Sequence, residues 1–152
     1  MQPRMQHPVY VIPEAMKALH AVAAAARKCD LPHRTIELAA LRVGQINGCS
    51  FCVEMHATEL KKAGESDPRV FAVAAWREAP YFTDAERAAL ALAEAATRIS
   101  DRADPVDDAT WNEARRHYDD ASLAALLIHI GLTNLWTRLN VSIKQVAGPL
   151  PR

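Results

Sequence analysis

Residues 121–146 constrain the fold of this chain more than any other stretch. The segment is apolar nearly all round up to Trp136, with Leu126, Leu127, Ile130, Leu135 and Trp136 spread over its faces. A helix of that kind must be enclosed, either at the centre of a domain or between subunits. A membrane is not the enclosure. The apolar run 123–135 is interrupted by His129 and Asn134 and followed by Arg138, whereas a span needs about 20 consecutive apolar residues. The partners of this helix must therefore come from protein. Alanine is abundant, only 5 residues are glycine, and apolar positions recur at helical rather than alternating spacing, so the remaining elements are helices too. The chain of 152 residues suits one domain with a real core and is too short to expect two. The expected architecture is a single-domain, all-α bundle of about six to seven helices spanning 1–152.

Start and stop signals divide the chain. Residues 1–12 read as an N-terminal arm, with Val9, Tyr10, Val11 and Ile12 extended. Pro13 suits the first turn of a helix over 14–28. Asp30 reads as an N-cap, with Pro32 in the first turn of a helix over 33–46. Ile36, Ala39, Ala40, Val43 and Ile46 form its apolar stripe, and Glu37 lies within the same arc. A carboxylate there is either solvated or requires a partner. Asn47-Gly48 breaks the chain, and a helix over 50–63 ends at Gly64. Ser66-Asp67-Pro68 opens a short helix to about residue 76. Thr83-Asp84-Ala85-Glu86 is a capping box for a helix over 84–99. A helix over 109–118 follows, Asp119-Asp120 cap the last one, and 148–152 is a proline-bearing tail.

The chemistry concentrates after the Asn-Gly break. Cys49 and Cys52 are three apart, and His56 follows four after the second. On a helix these spacings share one face. The first cysteine falls at the helix start, where free N–H groups and the dipole favour a thiolate. Such a pair can cycle between dithiol and disulfide, because the spacing brings the sulfurs together. An imidazole one turn on can take a thiol proton, and a carboxylate can orient it. Glu37, on the preceding helix, is placed to do so if the two helices pack side by side.

Other readings remain open from these residues. Cys49, Cys52, His56 and Glu37 also make a conceivable zinc set, though no second Cys pair exists and His7, His20, His33, His117 and His129 are scattered. The pair can also be two packed cysteines beside a surface histidine. A c-type haem site requires histidine directly after the second cysteine, where Val53 stands. Cys29, at a helix end, reads as a small packed residue without a partner. Lys plus Arg and Asp plus Glu both number 18, and no basic block points to nucleic acid or an anionic membrane. With no apolar leader in the first residues, the expected compartment is the reducing cytoplasm.

The run 37–56, Glu followed by eleven residues, C-x-x-C, three residues and His, resembles the core motif of the alkyl hydroperoxidase D-like (AhpD-like) family. That family belongs to the carboxymuconolactone decarboxylase superfamily. The lead-in Gln45-Ile46-Asn47-Gly48 is similar as well, and residues 83–100 and the Asn134/Arg138 region are similar less specifically. The likeness extends over roughly 31–141. It implies an all-helical homo-oligomer, a trimer or hexamer, that reduces hydroperoxides at the expense of a thiol or dithiol reductant. No metal or organic cofactor is implied. By the same resemblance Cys52 is the attacking thiolate, Cys49 the proton donor and then the resolving thiol, His56 the base and Glu37 its orienter. Helix position alone favours Cys49 as the more acidic thiol, while His56 at i+4 favours Cys52.

Two departures bear on mechanism. Phe51 stands between the cysteines where peroxidase members can carry a relay histidine, and Gly44 stands where serine is frequent. The competing functions are a metal-binding or non-enzymatic helical protein, a disulfide reductase for protein or lipoyl partners, and a lactone decarboxylase-like activity. The last is disfavoured because those enzymes lack the cysteine pair.

Overall fold

The computed structural model describes residues 2–148. Among them are eight α-helices and one 3₁₀ turn. The order is α1 (Pro8–Val11), α2 (Pro13–Ala26), α3 (His33–Ile46), α4 (Ser50–Lys62), α5 (Asp67–Phe71), the 3₁₀ turn (Ala72–Ala75), α6 (Asp84–Thr97), α7 (Asp108–His117) and α8 (Asp120–Ile143). The fold is all-α, as the spacing requires. Of the tail, residues 149–152 lie outside the described residues.

The centre of the bundle is α3 rather than α8. Helix α3 packs against α4, α6 and α8, and buries residues on nearly every side. Ile36, Ala39 and Val43 join one core cluster with Leu92 of α6, Ala114 of α7 and Leu126 and Ile130 of α8. Leu38 and Leu41 join a second with Leu60 of α4, Val70 of α5, Trp76, Phe82 and Leu90 of α6. Each fully buried leucine contributes about 1.5–3 kcal/mol by leaving water. Helix α8 buries Leu123, Leu126 and Ile130 but leaves Ile128, Leu135 and Val141 exposed. A single copy therefore does not complete its enclosure.

Local chemistry explains where the elements differ from expectation. Residues 9–12 are not extended, because Pro8 to Val11 form a helical turn. Pro8 at N1 presets φ, and the His7 side chain accepts the Val9 N–H, so a local cap overrides β-branched preference. This added turn carries the helix count past the expected six to seven. Asp30 does not cap α3. Pro32 stands at the N-cap without a side-chain bond, and its carbonyl accepts the first intrahelical N–H bonds from Thr35 and Ile36. The stretch 66–76 divides into α5 and the 3₁₀ turn. The Thr83–Glu86 capping box is present with both reciprocal bonds. Helix α8 stops at Ile143, before residue 146, because Lys144 adopts the left-handed conformation. Its N–H bonds back to Val141, and that of Gln145 to Asn140, which satisfies the last carbonyls. The arm is docked: the Arg4 N–H bonds the Ile143 carbonyl at 2.7 Å and its guanidinium the Ser142 carbonyl at 3.1 Å.

Candidate active site

The site grows from the corner between α3 and α4. Asn47 ends α3, Gly48 takes a positive φ of 66°, and Cys49 becomes the N-cap of α4, one position before its first turn. The corner is held from α8. The Asn47 amide donates to Asn134 Oδ1 at 3.0 Å and to Thr137 Oγ1 at 2.8 Å. Asn134 in turn donates to Thr97 Oγ1 on α6 at 3.1 Å. Gly44 permits close approach of the two helices, since a Cβ there would lie 3.3 Å from the Cys52 Cβ.

Cys49 and Cys52 form a disulfide with Cα atoms 5.3 Å apart, within the normal span for such a bond. Both residues are buried. Each sulfur has its own donor. Cys49 Sγ accepts the Cys52 backbone N–H at 3.2 Å, an N-cap interaction. Cys52 Sγ accepts from the Asn140 amide at 3.3 Å.

His56 lies one turn beyond Cys52 on α4. Its Nδ1 is 2.8 Å from Glu37 Oε2. Glu37 is only 5% exposed, so the reading of a solvated glutamate is set aside and the packing of α3 on α4 supplies the partner a buried carboxylate needs. Its second oxygen lies 3.8 Å from His33 Nδ1. His129 faces the same region from α8 with its Nε2 buried and unpartnered. Burial first, and the positive charge of Arg27 next, hold the His129 pKa below its ordinary value, with His33 adding to that and Glu37 opposing it.

Cys52 and His56 open onto a cavity of about 540 Å³. Its walls are largely apolar and aromatic, among them Tyr10, Leu19, Phe51, Met55, Leu132 and Trp136. Cys49 does not line it. Arg27 and His20 supply polar groups from α2 and its end. A larger depression, about 800 Å³, lies beside the start of α3 and contains Glu86, His117 and Tyr118 but no cysteine. The smaller cavity is the candidate site because the thiol chemistry opens into it.

The structure thus brings together all four residues singled out by spacing. Of the histidines that looked scattered, His33 comes near Glu37, His7 and His20 reach the cavity, and His117 pairs with Glu113 on α7. Among the described residues no group of three or more His, Cys, Asp or Glu is arranged to hold a metal ion. Cys29 is a free cysteine packed against the larger core cluster. Sequence reasoning missed Asn140 and His7. A signal existed for the first: His129, Thr133, Thr137 and Asn140 form a stripe of buried polar residues at helical spacing on an otherwise apolar helix. None existed for His7, which is 133 residues from its partner.

Fold and site together define an all-helical thiol protein in which one cysteine of a C-x-x-C pair and the histidine of a His–Glu dyad open onto an apolar cavity. The chain belongs to the carboxymuconolactone decarboxylase family, whose sequence pattern matches residues 13–95, and within it is an AhpD-like member. It is 32% identical to the uncharacterized protein YdfG of Bacillus subtilis (strain 168), over 88% of this chain and 89% of that one. A crystal structure from Agrobacterium tumefaciens, of a protein of unknown function provisionally described as the antioxidant defence protein AhpD, superposes with a TM-score of 0.89. It is 32% identical and matches over 97% of this chain and 99% of that one. The debrominase Bmp8 shares the fold at a TM-score of 0.81 and 18% identity, over 92% of this chain and 74% of its own. None of the described helices is long and apolar enough to cross a membrane.

Proposed function

We propose that the protein is a thiol peroxidase that reduces organic hydroperoxides through the Cys49–Cys52 pair. One observation carries the reading: Cys52, and not Cys49, lines the apolar cavity together with His56, whose other ring nitrogen is held by Glu37. In the reduced protein His56 Nε2 takes the Cys52 proton. The thiolate attacks the terminal oxygen of the hydroperoxide, the O–O bond breaks, and the alkoxide leaves as alcohol with the proton from the imidazolium. Cys52 is then a sulfenic acid. The Cys49 thiol attacks that sulfur, the S–S bond forms, and hydroxide leaves with the Cys49 proton as water. The peroxide gains two electrons and the dithiol loses them. An external thiol or dithiol reductant restores the pair by exchange.

The cavity lining favours a hydroperoxide with an apolar body over hydrogen peroxide, since apolar walls gain little from a small, hydrated ligand. The proposed setting is the cytoplasm, where such a disulfide is re-reduced, and the proposed assembly is a homotrimer or hexamer.

The test is anaerobic titration of the reduced protein with cumene hydroperoxide, with the disulfide read by mass. One equivalent should form the Cys49–Cys52 bond. With Cys49→Ser, a dimedone label should appear on Cys52; with Cys52→Ser, reaction should cease. Labelling of Cys49 in the Cys52→Ser protein, with none on Cys52 in the Cys49→Ser protein, would reverse the roles. No reaction in the parent would end the peroxidase reading.

A further inference from the structure

We propose that Asn140, locked in orientation by His7, is a catalytic hydrogen-bond donor to the Cys52 sulfur, so that the N-terminal arm completes the active site. The inference rests on Cys52 being the reacting thiol.

The chain of contacts runs from the surface inward. His7 Nδ1 accepts the Val9 backbone N–H at 3.3 Å. In the neutral ring the proton then sits on Nε2, which lies 3.1 Å from Asn140 Oδ1. Asn140 is buried and its oxygen is committed as acceptor. Its Nδ2 therefore faces Cys52 Sγ, 3.3 Å away, and the amide cannot turn its oxygen to the sulfur without losing the His7 bond. His7 is itself fixed between Tyr10 and Trp136, with ring centroids 5.8 and 5.9 Å away. The short helix that carries it is anchored by buried Val9 and by the bonds from Arg4 to the end of α8.

A thiolate gains more from a donor than a thiol does, because the hydrogen bond to the charged form is the stronger. Phe51, next to Cys52, has no hydrogen-bonding group, and among the described residues the side-chain hydrogen bond to Cys52 Sγ comes from another element. Asn140 supplies it from α8. Asn140 touches the reacting sulfur; His7 acts through Asn140 and is a positioning residue. The other titratable groups around Cys52 are Cys49 and His56 on α4, Glu37 on α3 behind His56, Tyr10 on α1, and His20 and Arg27 on α2 and its end, while His129 on α8 feels the charges of Arg27, Glu37 and His33.

The experiment measures the pH dependence of iodoacetamide alkylation of Cys52 in the Cys49→Ser protein, with Cys29 resolved by peptide mass. Asn140→Ala should lower the thiolate fraction near neutrality about tenfold, moving the midpoint up by about one pH unit. Asn140→Asp is nearly the same shape but places an oxygen, and a charge when ionised, against the sulfur. It should move the midpoint at least as far; a shift in His7→Ala, which adds no charge at the sulfur, separates donation by Asn140 from the effect of the new carboxylate. His7→Ala should shift it the same way by less, and His7→Gln, which retains an N–H donor, should recover part of the loss. His7 is only partly buried and Asn140 is buried, so the His7 variants carry the test if an Asn140 variant does not fold. Profiles of Asn140→Asp and His7→Ala that superimpose on the parent would overturn the proposal. The readout requires no peroxide, so a protein inert to hydroperoxides would end the peroxidase reading and leave this shift standing.

Discussion

Replacing Glu37 by Gln separates the electrostatic part of the His–Glu dyad from its geometry. In the structure Glu37 Oε2 lies 2.8 Å from His56 Nδ1, and the carboxylate is almost wholly buried. Gln keeps the size and an acceptor oxygen, so His56 stays oriented. What is lost is the negative charge that steadies the imidazolium once Nε2 has taken the Cys52 proton. A charge-assisted bond contributes about 1.5–3 kcal/mol and a neutral one about 0.5–1.5. The difference, about 1–1.5 kcal/mol, corresponds to a five- to tenfold slower first step. Stability should move the other way or not at all, because the folded state no longer desolvates a carboxylate. The assay is a single-turnover reaction of pre-reduced protein with cumene hydroperoxide, followed by tryptophan fluorescence, with a thermal melt of the same sample. Glu37→Ala should be slower still, since it also frees the ring. An unchanged rate in Glu37→Gln would refute the electrostatic role, and an unchanged rate in Glu37→Ala the orienting one. A rate loss of a thousandfold or more, accompanied by a lower melting temperature, would show that Glu37 holds the α3–α4 packing instead.

Three further outcomes follow from other parts of the molecule. Burial alone would raise the Glu94 pKa, but hydrogen bonds from Arg77 and Arg42 outweigh it and hold the carboxyl below its usual value. A folded pKa below the unfolded one means that this stabilisation is full above about pH 4.5 and lost as pH falls through the folded value. Glu94→Gln should flatten acid denaturation in that window and cost about 2–3 kcal/mol at neutral pH by stranding Arg42; urea melts at pH 7 and pH 4 that fall in parallel with the parent would contradict it. The purified protein should form a reversible Cys49–Cys52 disulfide and carry far less than one zinc per chain. Stoichiometric zinc surviving dialysis, with helicity lost on chelation, would favour the metal-binding reading. Exposed Ile128, Leu135 and Val141 on α8 should be covered in a trimer or hexamer, and light scattering that reports a monomer at micromolar concentration would contradict that assembly.

The sequence by itself determined what depends on neighbours along the chain. Helical spacing of apolar residues, the Thr83 capping box, the break at Asn47-Gly48 and the shared face of Cys49, Cys52 and His56 are local properties, set by the 3.6-residue period and by which residues satisfy free N–H groups. Glu37 was legible too, as a carboxylate in an apolar arc that would meet His56 if the two helices packed side by side, a condition the sequence does not decide. Tertiary structure decided the rest. Helix α3 took the central place because residues on nearly all its sides find apolar partners, while α8, the more apolar helix by composition, keeps Ile128, Leu135 and Val141 exposed in the single copy. Packing of α3 on α4 brought Glu37 to His56 across 19 residues, and packing of α8 and the arm brought Asn140 to Cys52 across 88 and His7 to Asn140 across 133. No periodicity reports such meetings, since the distance between two side chains from different elements depends on how whole helices dock, and docking depends on the summed shape of their faces.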